Sequence, residues 1–174
     1  MIIDNVKNSD ELNTVMDLIF TVFPEYNANT KKEYRDCWQK RLIELPELLI
    51  YAKDCDIYCG FTFAWDDNGI ITISFCGVDF SYRGKGIGKS LITEAEKRIK
   101  LLGYHGIALG AVETAKGFYK KLGYTGSLLI QSEQHSIEEL MSLNTTYEVI
   151  YTNVYDSTIN QVCLRVSAAD RELQ

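Results

Sequence analysis

Between Val78 and Leu91 the chain reads Val-Asp-Phe-Ser-Tyr-Arg-Gly-Lys-Gly-Ile-Gly-Lys-Ser-Leu, and its glycines and cations are spaced to do chemistry. Gly84, Gly86 and Gly88 alternate with Lys85 and Ile87, and Lys89 and Ser90 follow. Residues without a Cβ leave their backbone N–H groups uncovered. A β-branched apolar run, Ile70 to Val78, enters the stretch, and an amphipathic one, Ile87 to Leu102, leaves it. The pattern predicts strand, glycine-rich turn, helix. The first turn of a helix carries amides without intrahelical partners and the positive end of the helix dipole, so it seats an anion. Arg83, Lys85 and Lys89 add full positive charge around that seat. The ligand expected there carries a phosphate or a diphosphate.

Spacing discriminates among such ligands. A dinucleotide fingerprint needs Gly-x-Gly-x-x-Gly, whereas Gly84, Gly86 and Gly88 run one residue tighter. A Walker A loop ends as Gly88-Lys89-Ser90 does, but the position of its first glycine is Arg83. The order that fits is Arg/Gln-x-x-Gly-x-Gly/Ala, from Arg83 through Gly86 to Gly88. It resembles the diphosphate-binding signature of the GNAT superfamily, the acyl-CoA-dependent N-acyltransferases. A second GNAT signature, Ala-x-x-Phe/Leu-Tyr-x-x-x-Gly-Phe/Tyr, is matched further on by Ala115, Phe118-Tyr119 and Gly123-Tyr124. The resemblance covers residues 1 to about 126. It departs at Val112, where many members carry an Asn that orders its loop and contacts the pantetheine arm.

The resemblance implies an α/β (α+β) fold: a mixed, mostly antiparallel central sheet flanked by helices, with strands splayed to admit CoA. Acetyl-CoA is the implied co-substrate, and no metal is expected. The diphosphate would sit on the amides from Gly84 to Lys89, among Arg83, Lys85, Gly86, Ile87, Gly88 and Ser90. The pantetheine would lie between the strand ending at Val78 and the one from His105 to Leu109, bonding main-chain groups near Val78 and Phe80. The Val78 N–H would then donate to the oxyanion, and Tyr119 would protonate the departing thiolate. A phenol with pKa near 10 suits a leaving group of similar basicity. Tyr119 also reads simply as a core aromatic beside Phe118. No carboxylate lies between Ile70 and Val78, which leaves Asp79, Glu113, or a water held by carbonyls and Ser74 as the base.

The elements that must position these residues are legible in outline. Ile2 to Val6 reads as a strand. Ser9 or Asp10 caps a helix whose stripe is Leu12, Val15, Met16, Ile19, Phe20 and Phe23, ended by Pro24. A second helix uses Tyr34, Trp38, Leu42 and Leu45 and stops before Pro46. In this fold the segment between the two helices lies over the acceptor, which makes Phe23, Tyr26, Tyr34 and Trp38 candidate substrate contacts. Strands follow at Leu48–Ala52, Ile57–Trp65 and Ile70–Val78, the last two joined by a hairpin at Asp66-Asp67-Asn68-Gly69. After the helix closed by Gly103 come a strand, Ile107–Leu109, and a helix from Glu113. Beyond them Leu128–Gln131 reads as a strand, Ile137–Leu143 as a helix, and Tyr147–Val154 and Ile159–Val166 as strands. Tyr147, Val149, Tyr151 and Tyr155 share one face of the third of these. That face suits packing on the main sheet, a homodimer, or an acceptor-pocket wall. One domain is expected over 1–174, with its core in 1–126 and a C-terminal portion in 127–168.

Composition narrows the partners. The chain has 174 residues, 46% hydrophobic and 24% charged, and carries a net charge of −6. That is enough length for a buried core, and the acidic balance excludes nucleic acid and anionic membrane as expected partners. Five cysteines without a Cys-x-x-Cys pair, and two distant histidines, argue against zinc and for reduced thiols in a cytoplasmic protein. No leader pattern and no membrane-length apolar run is read. The reading is an N-acetyltransferase moving acetyl from acetyl-CoA to a primary amine of a small molecule or peptide by direct attack. The alternatives are a catalytically inactive CoA-binding sensor or interaction module, favoured by Val112 and the carboxylate-free strand, and a P-loop nucleotide hydrolase. The last lacks both the first glycine and an evident Mg²⁺-binding Asp.

Overall fold

A computed structural model describes residues 1–67, 69–104, 106–111, 113–124, 127–132, 148–156 and 159–165. The sequence expectations placed on Asn68, His105, Val112, Tyr147 and the 137–143 helix fall outside those residues. The chain forms two compact units, Met1–Gly110 and Ala111–Arg171.

The first unit is a sheet of five strands in the order β1 (Ile2–Asn5), β2 (Leu49–Asp54), β3 (Ile57–Asp67), β4 (Ile70–Val78), β5 (Ile107–Leu109). Neighbours are antiparallel except β4 and β5, which run parallel. This is the mixed, mostly antiparallel sheet that the sequence implied. Helices α1 (Ser9–Val22) and α2 (Ala28–Glu44) cover one face and α3 (Ile87–Leu101) the other. The cap of α1 is Asn8 rather than Ser9 or Asp10, because its Oδ1 accepts the Glu11 N–H at 2.9 Å. A 3-10 turn over Pro46–Leu48 delays β2 by one residue, and β3 runs on to Asp67. Among the described residues no helix is long and apolar enough to cross a membrane.

Alternation along β3 divides the core in two. Phe61 and Phe63 face α1 and α2, where they join Val15, Ile19, Trp38 and Phe75. Gly60 faces α3, whose Ile87, Leu91, Ile92, Ala95 and Ile99 are all buried. Fully burying each such side chain contributes about 1.5–3 kcal/mol. The ladder between β3 and β4 is interrupted once: Phe63 pairs with Phe75 but Ala64 with Ile73, so Ser74 has no partner on β3. This β-bulge turns Ile73 with Ala64 toward α3 and Phe75 with Phe63 toward α2.

In the second unit a 3-10 turn, Glu113–Ala115, leads into α4 (Lys116–Lys121). The strands β6 (Ser127–Ser132), β7 (Glu148–Asp156) and β8 (Ile159–Arg165) pair antiparallel in the order β6-β8-β7. The register of β7 shifts between Val149 and Tyr151, whose partners are the adjacent residues Leu164 and Cys163. That irregularity breaks the strict alternation on which a single tyrosine face was expected.

Two outcomes test this packing. A Cβ on Gly77 would lie 2.6 Å from Phe61 Cζ and 3.0 Å from Val22 Cγ1. Phe61 is fully buried, so Gly77→Ala should lower urea-unfolding stability by about 1–3 kcal/mol. At Gly60 the tightest contact, 2.9 Å, is with the methyl end of the Leu91 side chain rather than with a rigid ring, so Gly60→Ala should cost less. The reverse order would contradict the packing described. Burial pushes the phenols of Tyr26 and Tyr51 up to about 12. Above pH 10 the unfolded chain releases these protons first, so stability should fall as pH rises from 10 through 12. A melting temperature flat over that range would show the two rings to be solvated.

Candidate active site

The strand–loop–helix segment lies where the sequence placed it. The Asp79 N–H bonds the Cys59 carbonyl at 2.9 Å, extending the β3–β4 ladder by one residue. Asp79 Oδ1 accepts the Ser81 N–H at 2.9 Å and opens a 3-10 turn over Phe80–Tyr82. Arg83 then reaches back, its Nε donating to the Val78 carbonyl at 3.1 Å. Gly84 and Gly86 have φ of +78° and +80°, and a Cβ built on either meets no atom within 4 Å. The backbone there is left-handed and faces open space, as a close-approaching ligand requires.

Gly86 is the N-cap of α3, and no side chain caps it. The first helical bond is from the Ser90 N–H to the Gly86 carbonyl at 3.1 Å. The amides of Ile87, Gly88 and Lys89 therefore stand without intrahelical acceptors. Ile87 offers only its amide, since its side chain is buried. The Ser90 hydroxyl donates to the Gly86 carbonyl at 3.3 Å. Arg83, Lys85 and Lys89 are exposed. The Arg83 guanidinium lies 5.5 Å from the Phe80 ring centroid, and Lys85 Nζ lies 4.6 Å from that of Tyr82. Bare amides, a space that a Cβ would fill and three cations fit a diphosphate.

From this seat an open strand edge leads inward. β4 pairs with β5 only from Ile71 to Ile73. Among the described residues no strand pairs with Ser74–Val78 on that side. The Asp79–Cys59 bond fixes the alternation of the ladder, so Gly60–Val78 and Thr62–Cys76 are its non-hydrogen-bonded pairs. Val78 and Cys76 consequently turn their N–H and C=O groups away from β3, toward the open edge. Arg83 already occupies the Val78 carbonyl, which leaves that residue's N–H as the group on offer. At the inner end of the edge, Ser74 Oγ accepts the Trp65 indole N–H at 3.0 Å.

The aromatic candidates gather on Phe75, one residue past the bulge. Ring centroids of Tyr34, Trp38, Phe23 and Tyr26 lie 5.3, 5.9, 6.0 and 6.3 Å from it. Trp38 is fully buried and belongs to the core, whereas Phe23, Tyr26 and Tyr34 keep accessible surface. Burial also holds the Cys59 thiol above its usual pKa, so it stays protonated behind the loop. Tyr119 lies in the second unit on α4, half-buried, its ring 5.0 Å from that of Phe118 and 5.7 Å from that of Tyr124. Sequence reasoning missed the Ser74 bulge, the Cys76 main chain and the Trp65–Ser74 bond. Ile71, Ile73 and Phe75 alternate so regularly that no irregularity shows in the sequence.

A family model described as "Acetyltransferase (GNAT) domain" matches residues 20–141. No curated protein matches the chain. Among solved structures, an N-acetyltransferase from Staphylococcus aureus Mu50 is similar at TM-score 0.64 and 18% identity, over 99% of this chain and 98% of that one. Ard1 from Thermoplasma volcanium is similar at TM-score 0.63 and 14% identity, over 95% and 98%. An aminoglycoside 6'-N-acetyltransferase complexed with coenzyme A is similar at TM-score 0.57 and 18% identity, over 100% and 98%. At such identities the likeness concerns the fold alone. The family model spans most of the sequence, both glycine-loop and Ala115–Tyr124 signatures included, and the chain accordingly belongs to the GNAT family of acetyltransferases.

Proposed function

We propose that this protein transfers the acetyl group of acetyl-CoA to a primary amine of a small molecule or peptide, by direct attack, with the whole of 1–174 working as one catalytic domain. The observation that carries the reading is the continuity between the amide-lined loop at Gly84–Lys89 and the open edge of β4 at Ser74–Val78. The loop amides, with Arg83, Lys85 and Lys89, hold the diphosphate. Main-chain groups of Val78 and Phe80 hold the pantetheine. The Val78 N–H donates to the carbonyl oxygen as negative charge grows on it, and the Cys76 N–H faces the same edge. Such a donor is worth roughly 10²–10³ in rate elsewhere. As the amine nitrogen bonds the acetyl carbon, the carbon–sulfur bond breaks, and Tyr119 gives its proton to the leaving thiolate. Phe23, Tyr26 and Tyr34 form a wall of the acceptor site beside Phe75.

The loop assignment is tested by Gly86→Ala, with Gly103→Ala as control. Both glycines have positive φ, +80° and +88°, and neither is crowded, so each substitution carries a similar backbone strain of roughly 1–2 kcal/mol. Only the first places a methyl group over the amides. Calorimetry should show CoA affinity reduced by ~10-fold or more for Gly86→Ala and unchanged for Gly103→Ala. Equal affinities would mean that the diphosphate binds elsewhere.

Tyr119→Phe removes one hydroxyl and leaves the ring. Its kcat on a responsive amine should drop by ~10²-fold or more while KM for acetyl-CoA holds, the pattern of a group acting in the transition state. A raised KM with kcat intact would make Tyr119 a binding residue. Unchanged kinetics would return it to the core.

A further inference from the structure

Apart from the glycine loop, the first unit holds a cavity of about 330 Å³ lined by Arg41, Glu44, Ala64, Trp65, Asp66 and Tyr104, among others. Arg41 and Asp66 are held in place, and among the described residues the cavity's charges do not pair with one another. The Arg41 guanidinium lies over two indoles, 4.5 Å from the ring centroid of Trp38 and 4.1 Å from that of Trp65. Trp38 is fully buried, so that platform cannot move. Glu44 is nearly one turn further along α2 and Asp66 lines the same cavity, yet among the described residues Arg41 forms no ion pair with either. Asp66 is held at both oxygens: Oδ1 accepts the Gly69 N–H at 2.6 Å and Oδ2 the Tyr104 hydroxyl at 2.7 Å. That bond also raises the Tyr104 pKa, so the phenol remains a donor.

A guanidinium whose faces are stacked still presents its N–H edges, and that planar fork matches a carboxylate. Two carboxylates lining one cavity match an ammonium. We infer that this cavity binds a small amino-carboxylate zwitterion, a free α-amino acid, with the carboxylate on Arg41 and the ammonium between Glu44 and Asp66. The volume suits a ligand of that size. A single link ties the cavity to the open strand edge: Trp65 lines it, and the same indole N–H bonds Ser74 at the bulge. The assignment of this binding site rests on the cavity alone and is independent of the acetyl-transfer reading above.

The chain has only two tryptophans, so two indole N–H signals in a ¹⁵N spectrum report on the cavity without acetyl-CoA. L-lysine, L-glutamate, L-phenylalanine and glycine would be titrated beside cadaverine and acetate, each of which carries charge of one sign only. At least one amino acid should shift the Trp65 signal saturably, while cadaverine and acetate should not. Arg41→Gln should weaken that binding by ~10-fold or more, and Arg41→Lys should restore it only in part, because an ammonium has no fork. If loss of the stacked guanidinium unfolds the protein, Asp66→Asn carries the test with the same expected loss. The inference is overturned if no amino acid shifts the signal, if cadaverine shifts it as tightly, or if a folded Arg41→Gln variant binds as the wild type does. CoA is titrated separately: amino-acid binding without CoA binding sinks the acetyl-transfer reading and leaves the cavity assignment standing. CoA binding without amino-acid binding does the opposite.

Discussion

Ser74 has no ladder partner on β3, and much of the site depends on that one mismatch. A regular β4 would keep Ile71, Ile73 and Phe75 on one face. The extra residue rotates the strand so that Ile73 packs toward α3 while Phe75 packs with the aromatic rings of α1 and α2. Bulges also increase local twist, and pairing with β5 stops at Ile73, one residue earlier. Past that point the main-chain groups of Cys76 and Val78 face away from β3, and the Val78 carbonyl accepts from Arg83. An exposed edge is a liability in a stable sheet, because bare N–H and C=O groups invite another strand. Here it leads from the glycine loop, where a ligand with its own amides can take the place of that strand.

The loop at the other end depends on close packing rather than on charge. Ile87 is the first residue of α3 and is buried against β3, where Gly60 leaves room for it: a Cβ there would approach Ile87 Cγ2 to 3.2 Å and Leu91 Cδ1 to 2.9 Å. That contact fixes where the helix begins and hence where its bare amides point. The dipole and amides at a helix N-terminus stabilise an anion by about 0.3–1 kcal/mol at an exposed site. Exposed lysines add only screened attraction, so a well-held diphosphate needs the amides in position before the charges matter. Arg83 contributes in a second way, since its bond to the Val78 carbonyl ties the loop back onto the strand.

The parts of this arrangement that were legible in the sequence are those set by local rules. β4 and α3 have the bounds that β-branched runs, helical spacing and Gly103 implied, because hydrophobic period and backbone freedom act over a few residues. The glycine loop was legible for the same reason. Asn8 was overlooked as a cap because the two polar residues after it qualify equally by type, and only the geometry of the turn selects among them. The Ser74 bulge left no mark, since an extra residue in a ladder depends on what the partner strand offers. The β7 irregularity between Val149 and Tyr151 escaped a period-two reading in the same way. Nothing in the sequence pattern singled out Arg41 on α2. Its position three residues after Trp38 placed it near one indole, but the second indole comes from β3, and no local pattern joins them.

That last pairing explains why stability alone is a weak reason for Arg41 to lie where it does. A guanidinium on an aromatic face contributes about 0.5–1 kcal/mol when exposed and more when desolvated. An ion pair with Glu44 on the same helix would contribute a similar few tenths to one kcal/mol with no need of two tryptophans. The structure uses the costlier arrangement, immobilising a long side chain on a buried ring and leaving Glu44 and Asp66 unneutralised around the same cavity. Opposite charges that line one pocket without meeting leave each without a counter-charge, even where, as at Asp66, neutral donors hold both oxygens. The shortfall is met when one molecule brings both complements, and Trp65, which lines that cavity, bonds Ser74 just past the point where β4 ceases to pair with β5.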